Sequence, residues 1–323
     1  MTKAEYNRLY SEARKVFPRI TLASMRILKR SYIEAAKQLS EKILQAQKKG
    51  LSEITTQSWA SIEAQLTESA AELQIAIDAR VKSAVRVAAP RFSRIHERYL
   101  FDVIKESGGK ITHAGITNMF VALNKRVVES VVNRIFQDGY TFSDRVWKAA
   151  SAYGDSMKRL ITSGLAQGRD LIEIAKDIQV YVRKDKAAII KRYGDLRAGT
   201  ADFVKRIRGS VDYNALRLLR SELYASMQDA ARWSGQYNPG CSGLYDWLRG
   251  GTQDWGCECP AYADGGPYTL DSLPDYPHPN CLCRIQPRLR DYREFISNLQ
   301  SWVAGGRVYY MDEWYKNYYT IYA

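Results

Sequence analysis

Two short runs hold the residues with chemistry in them: Cys257-Glu258-Cys259 and His278-Pro279-Asn280-Cys281-Leu282-Cys283. Thiolate and imidazole are the donors zinc prefers, and a structural zinc site closes with four of them in a tetrahedron. Each pair suits a tight turn, with the metal joining the two turns across residues 260–277. That loop holds four prolines and the Asp264-Gly265-Gly266 turn. It has almost no apolar core of its own, so a metal would supply its folding energy. The expected cofactor is one structural zinc ion, held by four of Cys257, Cys259, His278, Cys281 and Cys283. With five donors for four places, one of Cys281 and Cys283 is the expected spectator, and Cys241 is a reserve. Cys-x-Cys is a tighter chelate than the common Cys-x2-Cys. The competing reading is a set of reduced cysteines packed as small apolar groups, or a disulfide formed on isolation.

Catalytic patterns fit less well. A catalytic zinc keeps an open position beside a general base, and His-Glu-x-x-His does not occur. Neither does the His-x-Glu with Pro-Cys-x-x-Cys of the zinc deaminases, nor a phosphate loop or dinucleotide fingerprint. The three histidines are His96, His113 and His278. The first two fall in helical segments, where structural or surface roles are expected. The expectation is a non-enzyme.

The elements that must position these donors are mainly helical. Met25, Leu28, Tyr32, Ala35, Leu39, Ile43 and Ala46 recur at steps of three and four, one apolar stripe on a helix. Thr21 is its expected N-cap and Gly50 its stop. A second stripe runs through Trp59, Ile62, Leu66, Leu73, Ile77, Val81 and Val85 to Pro90. A third runs through Ile116, Phe120, Leu123, Val127, Val131 and Ile135, between Gly108-Gly109 and Asp138-Gly139. Further helices are expected over 143–164, 171–182 and 211–233. From Gly235 to Pro287 the helical period is lost, and Gly, Pro, Asp, Tyr and Cys give turn and short-strand composition. The expected fold is mainly α: long antiparallel helices, a smaller helical segment, then an irregular C-terminal Cys/His region, zinc-knuckle-like, with short strands. The expected divisions are 1–150 for the long helices, 151–235 for a basic helical linker, 236–290 for the metal knuckle and 291–323 for an aromatic tail.

Lys and Arg number 48 against 35 Asp and Glu among 323 residues, a net charge of +13. That sign suits a polyanionic partner. Residues 183–220 concentrate it, and Lys184, Lys186, Lys191, Arg192, Lys205, Arg206 and Arg208 are candidate non-specific contacts to double-stranded DNA. The alternative is a solvated basic face. The tail carries Trp302, Tyr309, Tyr310, Trp314, Tyr315 and Tyr318, candidate anchors for a protein partner because Tyr and Trp are enriched at interfaces. The alternative there is a tail that packs back on its own domain. The start of the chain lacks the apolar core of a signal peptide, and no segment approaches a membrane span. A reducing compartment is therefore expected, which favours metal over disulfides for the clustered cysteines.

Together these residues resemble the C-terminal signature of the phage head-morphogenesis family, the Mu F-like minor head proteins. The resemblance is carried by Arg220-Ser221-Glu222, Trp247 with Arg249, Cys257 and Cys259, Asp264-Gly265 with Tyr268, and the closing His278-Pro279-Asn280-Cys281-Leu282-Cys283. It covers roughly residues 155–287, and 160–178 is similar to the helix preceding that signature. The chain departs from the pattern in its Cys-x-Cys spacing and in Leu282, where Arg is frequent. The resemblance implies a minor capsid protein of the virion, inside the capsid near the portal vertex, bound to the portal and other head proteins and near packaged DNA. Two other classes compete: a nucleic-acid-binding protein using the knuckle as its reader, and a metal-dependent enzyme.

Overall fold

The computed structural model describes residues 1–48, 56–135, 138–183, 212–250, 257–278 and 281–322. It is mainly helical, with one small antiparallel sheet and a Cys/His cluster near the C-terminus. Helix α1 (Lys3–Lys48) starts well before the expected cap. Thr21 sits within it, and its hydroxyl donates to the Phe17 carbonyl at 2.8 Å. This is the i−4 bond open to a helical threonine, whereas a cap accepts from the backbone. The stop expected at Gly50 lies outside the described residues. Helix α2 (Thr56–Ala88) is followed by α3 (Pro90–Val103). Pro90 therefore ends one helix and opens the next at a first-turn position, where its missing N–H costs nothing.

Gly108 and Gly109 break the chain at φ +55° and +86°. Helix α4 (His113–Val132) begins where the Thr112 hydroxyl accepts from the Gly115 amide. Ile116, Phe120, Leu123, Val127 and Val131 are buried along it as the stripe predicts. Ile135 departs from that stripe: it lies past the helix end, bridges to Thr141 and is 72% exposed. Helix α5 (Phe142–Ala166) opens with a reciprocal capping box between Thr141 and Asp144. Helices α6 (Leu171–Arg183) and α7 (Tyr213–Tyr237) follow.

The segment after α7 contains β1 (Cys241–Leu248), the short helix α8 (Cys259–Asp264) and β2 (Arg284–Leu289). β1 and β2 pair antiparallel, with Trp247 opposite Ile285 and Leu248 opposite Arg284. The register shifts between Cys241 and Tyr245, where Gly243 takes φ +82°. Pro287 can sit in β2 because a two-stranded sheet leaves one side of each strand without a ladder partner. α8 was not legible in the sequence, since six residues are too few to show a helical period. The tail forms α9 (Tyr292–Val303) and α10 (Tyr309–Trp314), continued by a π turn at Tyr315–Tyr319. None of the described helices is long and apolar enough to cross a membrane.

Two compact units divide the chain. One comprises 22–81 and 135–219, and its core includes Tyr32, Leu39, Ile43, Leu73, Ile77, Tyr153 and Met157. Within it the Tyr32 hydroxyl donates to the Ala149 carbonyl, and the Ser40 hydroxyl donates to the Ala175 carbonyl. The other comprises 1–21, 82–134 and 220–323. It holds both strands and every cysteine.

Candidate metal centre

The two donor runs meet at one end of the sheet. Cys257 and Cys259 lie at the start of α8, with Pro260 in its first turn. Cys281 and Cys283 lead directly into β2. Pairing β1 with β2 therefore fixes Cys283 next to Trp247 and Ile285, and all three share one core with Ala231, Tyr245, Cys259, Leu273 and Cys281. Tyr262, Tyr268 and Tyr276 pack around that core. Tyr268 exchanges both backbone hydrogen bonds with Tyr245, at 2.8 and 2.9 Å, and its hydroxyl donates to the Tyr262 carbonyl. The Asp264-Gly265 turn closes α8, with the Gly265 amide donating to Ala261.

The five candidate ligands form two overlapping groups. Cys257, Cys259 and His278 have their donor atoms within 4.8 Å of one another, and so do Cys259, Cys281 and Cys283. Cys259 belongs to both. Its sulfur lies 3.4 Å from His278 Nε2 and 3.7 Å from Cys281 Sγ. A tetrahedron with Zn–S near 2.3 Å and Zn–N near 2.0 Å has S–S edges of about 3.8 Å and S–N edges of about 3.5 Å. Those two separations therefore suit a shared metal. None of the cysteines is in a disulfide.

Hydrogen bonds outside the donor set hold its backbone. The Gln228 side-chain amide, from α7, donates to the Cys283 carbonyl at 3.1 Å. The Tyr276 hydroxyl donates to the Cys281 carbonyl at 2.9 Å. The Cys283 amide donates to the Cys281 sulfur at 3.4 Å. An amide aimed at sulfur favours the thiolate, the form that binds metal. The Cys283 thiol is held well below its usual range, chiefly by the hydrogen bond from the Cys281 thiol, with the Gly250 amide and the Cys259 thiol adding to it. Its donor, Cys281, is pushed up in return, and burial pushes Cys259 up. Binding a cation at these thiols would draw their protons off.

The expected spectator among Cys281 and Cys283 is not evident in this arrangement. Both are buried, at 2% and 4% exposure, inside one close group with Cys259. Cys241 is in neither group. It lies on β1, its sulfur 3.7 Å from His96 Nδ1. His96 is fully buried in α3, and His113 is exposed at the start of α4. Sequence reasoning did not anticipate the supporting roles of Gln228 and Tyr276, because their partners are backbone carbonyls that carry no side-chain signature.

The basic candidates Lys184, Lys186, Lys191, Arg192, Lys205, Arg206 and Arg208 lie outside the described residues. The aromatic candidates are all described, and most are covered by their own unit. Trp302 is buried, its indole donating to Asp312, and the Lys110 ammonium lies 4.5 Å from its ring centre. Trp314 is buried, its indole donating to the Tyr237 carbonyl at 2.8 Å. Tyr315 stacks on Tyr319, whose hydroxyl accepts from the Thr112 amide. Tyr318 is half-buried against Tyr237, and the Arg290 guanidinium sits 3.9 Å from the half-buried Tyr310 ring. Tyr309 is the exposed member, at 72%. Packing within their own unit thus covers the two tryptophans, Trp302 and Trp314. Trp314→Ala is expected to destabilise this unit by about 3–5 kcal/mol, the range for truncating a buried Trp. Denaturant unfolding of the variant measures it, and an unchanged midpoint would assign Trp314 to a partner instead.

No family model, curated protein or solved structure matches this chain.

Proposed function

We propose that this chain is an assembly protein of a phage head, a minor capsid protein bound near the portal inside the capsid, whose C-terminal segment is closed by one structural zinc ion. The observation that carries this reading is the gathering of the resemblance-bearing residues. Trp247, Cys257, Cys259, Tyr268, Cys281 and Cys283 lie in or against one small core, and α7, which bears Arg220-Ser221-Glu222, packs Ala231 into it. On the same helix, Glu222 is buried 3.8 Å from Arg134, and Asp229 pairs with the same guanidinium at 2.7 Å. The zinc would be held by Cys259, Cys281 and Cys283 with a fourth donor from Cys257 or His278. When bound it would join the lead-in of β2 to the start of α8. A structural role needs no open coordination position and no general base, so no catalysis is assigned.

The assembly reading is tested in cells carrying the parent phage genome, with a tagged copy of this chain. The chain should co-purify with the portal protein and appear in purified heads. Its absence from heads, with the tagged copy functional, rejects the reading. The DNA part has its own test. Lys184, Lys186, Lys191, Arg192, Lys205, Arg206 and Arg208 should supply most of a sequence-independent affinity for duplex DNA. Each phosphate contact contributes about −0.9 to the log–log salt slope, so reversing four of these charges should flatten the slope by roughly 3–4. An unchanged slope would remove this segment from any DNA interface.

A further inference from the structure

We infer that the fourth coordination position of this metal centre is served by two interchangeable donors, Cys257 and His278, which exchange with one another through a state in which both are engaged. The inference rests on the zinc reading above and adds how that site is regulated.

The five donors are not equivalent. Cys259, Cys281 and Cys283 are 4%, 2% and 4% exposed and mutually close. Each is set by rigid surroundings: Cys259 by the first turn of α8, and Cys281 and Cys283 by the hydrogen bonds from Tyr276 and Gln228 to their carbonyls. These three make a preformed face of a tetrahedron. Cys257 and His278 are both only half-buried. They come from opposite ends of the loop that separates the two runs. Yet their donor atoms lie within 4.8 Å of each other and of the Cys259 sulfur. A sulfur and an imidazole nitrogen therefore both flank the Cys259 sulfur, on the more exposed side of the cluster.

Zinc accepts either donor, imposes no preference from its d electrons, and can expand from four to five ligands. Whichever of the two is bound, the other stands within reach. Two consequences follow. Losing one donor leaves a complete set of four. And exchange can proceed by association, because the incoming donor is already present when the outgoing one leaves. The three buried thiols have no such substitute: Cys241, the remaining cysteine, lies in the His96 cluster.

The test uses the full-length protein and its Cys257→Ser, His278→Gln, double and Cys281→Ser variants, with zinc and cobalt(II) as probes. Competition against a chromophoric chelator gives affinity and exchange rate. Each single variant at the fourth position should bind one metal within about tenfold of wild type, whereas the double variant and Cys281→Ser should weaken by at least about 10³-fold. The cobalt spectra should differ in a fixed sense: four thiolates in His278→Gln, and three with one imidazole in Cys257→Ser. Metal transfer to the chelator should be faster in both single variants than in wild type, because the spare donor that recaptures a half-released metal is gone. Loss of metal from either single variant overturns the inference, as do unchanged exchange rates in both. His278→Cys, which keeps a donor in place, guards against misfolding: it must bind as tightly as wild type with a four-thiolate spectrum, and failure there also overturns the inference. A wild-type protein that binds neither metal rejects the zinc reading itself, a result distinct from every variant outcome.

Discussion

Cys259→Ser is expected to abolish stoichiometric metal binding and to lower the melting temperature of the full-length protein by about 10 °C or more. Cys259 is chosen because it alone belongs to both donor groups, its sulfur 3.4 Å from the imidazole of His278 and 3.7 Å from the sulfur of Cys281. Removing it separates the two runs that a metal would join. In small zinc modules the metal contributes about 10–16 kcal/mol of apparent folding free energy. Here the loss should be smaller, because the segment is also held by the β1–β2 pairing and by the shell of Trp247, Tyr245, Leu273 and Ile285. Even about 4 kcal/mol corresponds to roughly 8–16 °C for a unit of some 150–250 residues. A chelator added to wild type should reproduce the shift, and added zinc should reverse it in wild type but not in the variant. Elemental analysis with scanning calorimetry reads both effects. A Cys259→Ser protein that keeps one metal per chain and melts like wild type would remove the metal centre from this account.

The second large effect is expected in acid. His96 is fully buried in α3, among residues from α1, the turn after α7, and β1. Its Nε2 lies 2.7 Å from the Tyr10 hydroxyl and 3.3 Å from the Tyr6 hydroxyl. Its Nδ1 lies 3.1 Å from the Asn238 side-chain nitrogen and 3.7 Å from the Cys241 sulfur. The hydrogen-bond network assigns the tautomer. Asn238 uses its oxygen to accept from the Gly240 amide, so its NH₂ donates to Nδ1. Tyr6 donates to the Pro287 carbonyl, which leaves its oxygen to accept from Nε2–H. The imidazole is thus neutral, and a second proton on Nδ1 would point at a donor. Among the described residues, the groups that face the ring are Tyr6, Tyr10, Asn238 and Cys241, none of them a carboxylate. Tyr6, Tyr10 and Cys241 are all pushed up, by burial first, and stay neutral throughout the acid range.

Burial accordingly lowers the His96 pKa from 6.5 to about 3. The sign follows from which state binds the proton. Below pH 6.5 the unfolded chain protonates this histidine while the folded chain does not, so stability is full above 6.5 and is lost as pH falls toward about 3. One pKa unit is about 1.36 kcal/mol, so the whole window amounts to roughly 5 kcal/mol. Denaturant titrations at steps from pH 7 to 4 should show wild type losing stability where His96→Gln does not, most clearly above pH 5, before carboxylates contribute. The variant should itself be weaker at pH 7 by about 1–3 kcal/mol, since it disturbs a buried hydrogen-bond set. Parallel pH profiles for the two proteins would count against a neutral, buried His96.

The amino-acid sequence by itself determined the helical character of the chain and singled out the Cys/His cluster as a candidate set of metal donors. Both are local properties. A stripe such as Leu28, Tyr32, Ala35, Leu39 and Ile43 has one geometry that buries it, and all five are buried. Thiols and an imidazole paired across a proline-rich loop have few other uses. Tertiary structure alone decided which donors converge, because that depends on groups distant in the chain: the β1–β2 register, the Gln228 amide on Cys283 and the Tyr276 hydroxyl on Cys281. The same holds for Thr21, whose side chain served a continuing helix because apolar Tyr6, Tyr10 and Phe17 extend the buried face of α1 before it. It holds for the tail, where the Tyr237 carbonyl and the Thr112 amide offered Trp314 and Tyr319 partners that no local pattern foretold. And it holds for the compact unit containing the metal centre, drawn from 1–21, 82–134 and 220–323, since burial is shared among segments that meet only in the folded chain.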